Sequence, residues 1–494
     1  MSHYDIVIIG GGAGGTAAAL SAARTKPGAS ILLAEKEGLL GGTSVLSGVV
    51  CWEIGIASGK LHREIAERLL ASGGGYVVRE VHRPSEKSPY GYAEPSGEPY
   101  EATLKEAELP NKDWSRFVFD ARAMAGTMDQ LLAEHPNVTV KKNCAFTGAG
   151  TTESKNGKKI IQNVKLNDHD REIVVEGRVF IDCSGNIALA RNAGCSFMLG
   201  TEGRDVFGEP SADKKTEFLL NGVSLIFNAR RKEKPGIDPV PEPYNSIDVS
   251  DWIDEKLMNG RVVSYINRCP NGDLNINMLP TMDGAEYYNL SEDTAYKICK
   301  ARAYRYFQWL QTYKDLANYS IGLFFPKVGV RESYRLDAKY VLSERDIRQP
   351  FGKQTRAEEI IAFADHGLDL HGGGGINGLR KRLLFPYGIP YSCLLPKEVD
   401  NLIVSCKGSG FSHIAQSSCR LTRTMIALGE AAGIAAALCV KENREPDQIE
   451  TEYLGKALEI EKTIKEIRKK YKYIDYNYNG IRGKEQEEFF KYLL

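Results

Sequence analysis

The sequence predicts a three-layer α/β protein, with a mixed α+β unit inserted late in the chain and a helical tail behind it. Two observations predict it. Apolar strand-like runs alternate with helical ones at the N-terminus, where Asp5–Ile9 leads through a glycine-rich turn into the alanine-rich stretch Thr16–Arg24 and then into Ser30–Ala34. That alternation is the pattern of a parallel sheet with helices on its faces. The buried-strand pattern returns at Arg178–Asp182 and, after a long irregular interval, at Asn401–Ser405, so the first domain is assembled from separated pieces of a 494-residue chain. The interval has room for a second domain.

The first block has the spacing of a βαβ half-unit, and a glycine pair, Gly41-Gly42, follows at once. Beyond a polar stretch rich in Gly, Pro and Tyr between Ser72 and Pro110, an amphipathic helix at Ala121–His135 leads into the extended segment Asn137–Val140. A hairpin turning at Lys155–Lys158 then precedes the strand that stops in Asp182-Cys183-Ser184-Gly185. From about 200 to 395 the pattern is irregular, with a proline-rich loop at Lys234–Tyr244 and a helix at Glu292–Tyr313. The strand Asn401–Ser405, the long helix Arg420–Lys441 and a charged helical appendage close the chain. The expected organisation is a nucleotide-binding domain at 1–205 with a polar insertion near 76–111, an inserted substrate domain at 206–394, a return to the first domain at 395–450, and a helical tail at 451–494.

Lys plus Arg and Asp plus Glu each number 64, so the net charge is zero and the basic footprint of a nucleic-acid or anionic-membrane binder is missing. The most apolar long stretch, Met425–Val440, contains Glu430 and falls short of the roughly 20 residues that cross a bilayer. No basic n-region precedes the first strand, and the expected location is the cytoplasm. The ten cysteines are scattered without CxxC or zinc-ligand spacing, so they read as buried small hydrophobes and no metal site is expected.

The strongest motif is Gly10-x-Gly12-x-x-Gly15, which follows a strand, opens a helix, and has Glu35 twenty residues beyond its last glycine. Its chemistry needs a tight turn at Gly10, close backbone approach to a pyrophosphate at Gly12, close helix packing at Gly15, and a carboxylate for the ribose. The turn also places Ala13 and Gly14 at the helix N-terminus, where backbone amides attract phosphate, and Lys36 beside Glu35. This is a Rossmann-like dinucleotide site. Gly41, Gly42, Thr43 and Ser44 then supply amides and hydroxyls for a cofactor longer than the first half-unit, which favours FAD over NAD. The segment Gly41–Gly48 holds only Gly, Thr, Ser, Val and Leu, so the attachment is expected to be non-covalent, with Cys51 and Cys406 as the residual nucleophiles.

On these residues the chain resembles the superfamily of fumarate reductase and succinate dehydrogenase flavoproteins, and more closely a bacterial FAD-dependent oxidoreductase family whose members often carry the label xanthan lyase. The matching pieces are Tyr4–Gly15, Glu35–Ser44, Asp182–Asn186 with Ala193-Gly194, Gly329–Ser333, Asp369–His371, Ile389–Tyr391 with Leu395–Lys397, and Asn401–Ala437. The resemblance implies cofactor contacts at Cys183, Ser184 and Gly185, where Ala-Thr-Gly is usual, and at Ala145. It implies a second flavin contact at Arg420 and in the run Gly429–Gly433, which includes Glu430. Small residues in that run also let the helix lie close to a neighbouring backbone, and its N-terminal amides can face a flavin carbonyl.

Flavin-dependent C–H oxidation needs a base for the departing proton or a cation for an anionic substrate. His371, His413 and Arg331 are the catalytic candidates, with Arg420 and Lys407 beside them. Two further motifs are weaker. Gly373-x-Gly375-x-x-Gly378 lacks a clean strand before it and an alanine-rich helix after it, and Asp475-x-Asn477-x-Asn479-Gly480 has Gln486 where a calcium loop places Glu. The expected function is an FAD-dependent oxidoreductase passing hydride between a small organic substrate and flavin N5, with an unidentified electron acceptor or donor and an open oligomeric state. The alternatives are a flavin monooxygenase or halogenase, a flavin-using lyase or isomerase without net redox change, and a non-catalytic flavin-binding protein.

Overall fold

A computed structural model describes residues 2–53, 59–82, 90–95, 116–371 and 386–470, together with Gly97, Tyr100 and Leu383 and excepting Lys155, Arg261 and Pro350. The glycine motif at 373–378 and the loop at 475–487 lie outside the described residues. A seven-stranded sheet forms the first domain. Its parallel part sets β1 (Ser2–Ile9) between β2 (Ile31–Ala34) and the long strand Arg171–Asp182, with Val138–Lys141 and Leu402–Val404 outside them. In chain order β3 is Cys51–Glu53, β4 Gly75–His82, β5 Tyr90–Pro95 and β6 Arg116–Phe119; β7 is Val138–Lys141, β8 Cys144–Glu153, β9 Lys159–Asp168 and β10 Arg171–Asp182. The hairpin β8–β9, turning at Asn156-Gly157, continues antiparallel into β10.

Alternation sorts the side chains. Ile6, Ile8, Ile31, Leu33, Val179, Ile181 and Ile403 point to the helical layer, while Val7, Ile9, Leu32, Ala34, Phe180, Leu402 and Val404 pack against Ile161, Val164 and Leu166 of the meander. Both faces are covered, which is why these strands read as unbroken apolar runs. The helical layer holds α1 (Ala13–Thr25), α2 (Thr43–Leu46), α3 (Lys60–Ala71) and α4 (Ala121–Ala133). Asp120 starts α4 where expected, accepting from Arg122 and Ala123 amides at 2.8 and 2.9 Å.

The second sheet departs from the expected boundaries. It has eight strands, and four of them (β3 to β6) come from the first 120 residues, so these strands belong to the second sheet and not to the nucleotide sheet or to a detached polar insertion. Four more come from the inserted region: Phe227–Arg231, Val263–Arg268, Leu274–Leu279 and Tyr319–Phe324. Helix α5 (Glu292–Tyr313) covers this sheet through Ala303, Tyr306, Phe307 and Leu310, and begins at Ser291, whose hydroxyl accepts from Thr294 N at 3.2 Å.

The closing helix forms close to the expected Arg420–Lys441, as α7 (Thr422–Glu442), and a short helix α6 (His413–Cys419) precedes it. By length and composition α7 could cross a membrane, but 78% of its most apolar window is buried inside the protein, against α1 and the sheet. Gly429 and Gly433 make that contact: a Cβ at either would run into the α1 carbonyls of Gly14 or Ala18. The described tail continues as helices at Thr451–Ala457 and Ile460–Lys470. None of the ten cysteines is in a disulfide, and nine are buried.

Candidate functional site

The glycine motif behaves as its spacing requires. Gly10 has φ +102°, and a Cβ there would lie 2.5 Å from the Cys183 carbonyl oxygen. Gly15 packs onto the Gly10 carbonyl and Gly14 faces the Ser405 carbonyl, so these two serve packing. Gly12 is different: a Cβ on it would meet nothing nearer than Gly42 Cα at 3.9 Å. Gly12 and Gly42 thus meet backbone to backbone at the N-terminus of α1, and both border the space in front of that helix. Glu35, at the end of β2, is buried, and accepts from Gly11 N at 2.6 Å and Glu37 N at 2.9 Å. Burial raises its pKa against those two bonds.

That space opens into a cleft of about 1390 Å³ between the two sheets. It exceeds the roughly 300–1,000 Å³ of an ordinary small-molecule pocket, so it has room for a dinucleotide and a substrate together. On its first wall lie Gly10, Gly12, Ala13, Gly14, Glu35, Lys36, Gly41, Gly42, Thr43, Ser44, Ala145, Cys183, Ser184, Gly185 and Arg420. The N-terminus of α7 enters beside them through Leu421 and Thr422, and Thr422 Oγ1 lies 3.3 Å from Ser44 Oγ. The opposite wall comes from the second sheet and α5, including Asn275, Asn277 and Tyr296. Two helix N-termini, a glycine-walled channel and a buried acceptor along one cleft fit FAD.

Three expected cofactor residues are not on this wall. Gly15 and Gly433 pack backbone against backbone, and Glu430 points to the start of α3, where Gly59 has no side chain to cap the helix and the Glu430 carboxylate accepts from Leu61 N instead. The small-residue run of α7 therefore acts through helix packing, while its N-terminal turn faces the cleft. Burial pushes the Cys406 thiol up to about 12 and the Cys183 thiol well above its ordinary value, so neither is a ready thiolate.

The catalytic candidates separate as well. His413 lies outside the cleft: its Nδ1 is 2.9 Å from Glu332, inside a buried cluster in which Arg335 pairs with Glu332 at 3.1 Å and Glu202 at 2.8 Å. The His413 ring thus faces this cluster and does not line the cleft. His371 and Arg331 do line the cleft. His371 Nε2 is 2.7 Å from Asp369 Oδ1, and Arg420 Nη2 donates to Asp369 Oδ2 at 2.6 Å. Burial, then the Arg331 charge, lower the His371 pKa against the pull of Asp369. Asp369 itself is held well below the carboxylate range, because its bond to His371 and the charge of Arg420 outweigh its burial.

Arg331 donates to the Gly222 carbonyl at 2.7 Å and to Ser224 Oγ at 3.0 Å, and Lys407 Nζ donates to the Val330 carbonyl. Burial pushes Lys407 down to about 8, and burial beside Arg420 pushes Arg331 down as well, though a guanidinium stays protonated at neutral pH. Asp369 and Asn221 were not among the expected site residues. The Asp369-x-His371 spacing was the available signal for the first; nothing local marks the second. Among the described residues no cluster of His, Cys, Asp or Glu is arranged to hold a metal.

Fold and cleft together define a dinucleotide-dependent enzyme whose cleft takes its second wall from another sheet. The chain belongs to the FAD dependent oxidoreductase family, whose profile matches residues 5–458. FAD is accordingly its cofactor. A curated relative, 4-oxocyclohexanecarboxylate 2-dehydrogenase from Sinomonas cyclohexanicum, is 43% identical over 82 residues, which are 17% of this chain and 13% of that protein. Among solved structures, a geranylgeranyl bacteriochlorophyll reductase-like protein from Thermoplasma acidophilum matches at TM-score 0.45 and 12% identity, over 99% of this chain and all of the other. The myxobacterial chondrochloren halogenase CndH matches at TM-score 0.43 and 13% identity, over 100% and 86% of the two chains. Similarities at this level say nothing about substrate.

Proposed function

We propose that the protein passes hydride between a small organic anion and N5 of its FAD, with His371 handling the accompanying proton. The observation that carries this reading is a pair of half-buried cations, Arg331 and Lys407, that line the cleft and whose hydrogen bonds among the described residues go only to carbonyl and hydroxyl oxygens. The carboxylates nearest them, Asp369 and Glu332, are already engaged by Arg420 and Arg335, and a substrate carboxylate between the two cations supplies a partner of their own. The other cleft cations near them are already paired, Arg420 with Asp369 and Arg423 with Asp365. The motif blocks at 182–186 and 401–437 also support a wider kinship with the fumarate reductase and succinate dehydrogenase flavoproteins.

FAD, when bound, supplies the two-electron donor or acceptor. In this reading the Gly10–Gly15 turn and the N-terminus of α1 take the diphosphate, Glu35 the ribose, and Gly41–Ser44 with the first turn of α7 the flavin end. Arg331 and Lys407 orient the acid, His371 takes or returns the proton, and the second sheet keeps water from the reacting carbon. A second small molecule or a protein completes the redox cycle.

The test is anaerobic mixing of FAD-loaded enzyme with matched panels of organic acids and their neutral esters, following the flavin absorbance. Bleaching by acids only, lost in Arg331→Met, supports the reading. Equal bleaching by esters and acids refutes the anionic substrate, and oxygen-dependent consumption of NAD(P)H without any C–H donor replaces it with a monooxygenase.

A further inference from the structure

We propose that Asp369 is a positioning residue that holds His371 as its Nε2–H tautomer, so that Nδ1 is the atom that exchanges the substrate proton. This rests on the reading above that His371 carries the proton. Asp369 divides its two oxygens: Oδ2 accepts from Arg420 Nη2 at 2.6 Å, and Oδ1 lies 2.7 Å from His371 Nε2. An ionised carboxylate can only accept. The proton of the neutral imidazole therefore sits on Nε2, and the lone pair falls on Nδ1. Nδ1 has no partner among the described residues, and the ring lines the cleft.

The backbone of the pair is bracketed from the other side. Asn221, buried, donates from Nδ2 to the Asp369 carbonyl at 3.2 Å and accepts at Oδ1 from His371 N at 2.9 Å. Gly222 N donates to the His371 carbonyl at 2.6 Å, and Asn221 N is tied to Glu332 Oε2 at 2.9 Å. A clamp that engages both residues of the Asp-x-His step on their main chain, while Arg420 fixes the carboxylate, leaves the ring one orientation. The charges facing it are Asp369 on its own segment, Arg331 from the 329–333 segment and Arg420 from the turn before α7.

The balance of the step follows. When a donor is oxidised, its C–H leaves with the bonding electron pair as hydride to FAD, the second proton passes to Nδ1, and Asp369 stabilises the resulting imidazolium through Nε2–H. Reduction of an acceptor runs the same transfers backwards.

The FAD-loaded enzyme labelled with ¹⁵N-histidine tests this, with the His371 signals assigned by their loss in His371→Gln. The expected result is the Nε2–H shift pattern above the ring's titration, and a titration that moves down in Asp369→Asn and returns in Asp369→Glu, because the carboxylate charge raises the ring's pKa. A dominant Nδ1–H tautomer, or a titration that Asp369→Asn leaves in place, overturns the proposal. If Asp369→Asn fails to hold FAD, the tautomer of the native enzyme still decides. Neither measurement needs a substrate, so an intact tautomer with no flavin-reducing acid sinks the proposed function and with it the proton exchange at Nδ1, while the positioning of the ring by Asp369 stands.

Discussion

Gly12→Val separates a phosphate site from a structural turn. At Gly12 the backbone is extended, with φ −69° and ψ −171°, which a β-branched residue adopts without strain. The added Cβ meets nothing nearer than Gly42 Cα at 3.9 Å, so the protein alone accommodates a side chain there. Stability without cofactor is therefore expected to stay within about 0.5 kcal/mol, the range of substitutions that break no contact. With cofactor the outcome changes, because the valine methyls stand in the cleft in front of Gly12 and hold the diphosphate off the first turn of α1. Losing two charge-assisted amide bonds at about 1.5–3 kcal/mol each weakens FAD binding by about 10²–10⁴-fold. The assay is thermal melting of the apoprotein, paired with titration of FAD by quenching of its fluorescence. Gly15→Ala is the contrasting control: its Cβ collides with the Gly10 carbonyl, so it should lower stability in the apoprotein itself. Normal FAD affinity in Gly12→Val, or an apoprotein as weakened as Gly15→Ala, refutes the assignment.

Gly433→Ala, whose Cβ would meet the Ala18 carbonyl on α1, should cost about 1–3 kcal/mol by overpacking, whereas Gly126→Ala in α4, with nothing within 4 Å, should stabilise by about 0.5–1 kcal/mol; differential scanning of both variants compares them. Glu430→Ala should cost about 1 kcal/mol by uncapping α3 while FAD stoichiometry stays at the native value, and a loss of flavin would return Glu430 to the cofactor wall. Acid precipitation should release the yellow cofactor into the supernatant, and a washed pellet that stays yellow contradicts non-covalent attachment. Because burial lowers Lys407 to about 8, its positive charge is present below that pH and lost above it, so KM for an anionic substrate should rise by up to about tenfold per unit above pH 8. Lys407→Arg should flatten that rise, and a native KM that stays level through pH 9 removes Lys407 from substrate binding.

The nucleotide half was legible because its chemistry is local. Gly10, Gly12 and Gly15 sit on one turn, Glu35 ends the neighbouring strand, and the Gly41–Ser44 loop follows directly, so spacing alone brings them to one channel. Continuous apolar runs marked the parallel strands for the same reason, since both faces are covered. What misled was the α7 segment: Gly429, Glu430 and Gly433 sit in the block that marked the flavin contact, yet on a helix only one stripe faces a given neighbour, and theirs faces α1 and α3. His413 misled similarly, because position between a strand and a cofactor-facing helix says nothing about which way the ring points; here it points to Glu332. Asn221 was invisible because its role depends on a fold-back of 150 positions to His371.

The second sheet was the largest surprise, and it bears on how the cleft can move. An insertion confined to 206–394 would connect to the first domain only at its ends and could swing as a lid about those two points. Instead Trp52 of β3 lies in the second sheet a few residues after Ser44 of the cofactor loop, and both line the same cleft. Gly48 joins them at φ +74°, with its Cβ position against the Phe325 ring, and its carbonyl accepts from Asn275 Nδ2 at 3.2 Å. Lys327 N further donates to the Leu46 carbonyl at 3.0 Å. The two walls are thus joined covalently and by hydrogen bonds directly after the Gly41–Ser44 loop. Rigid-body opening there would pull on the Gly41–Ser44 loop, which favours walls that keep their spacing at that point over a cleft that gapes along its whole length.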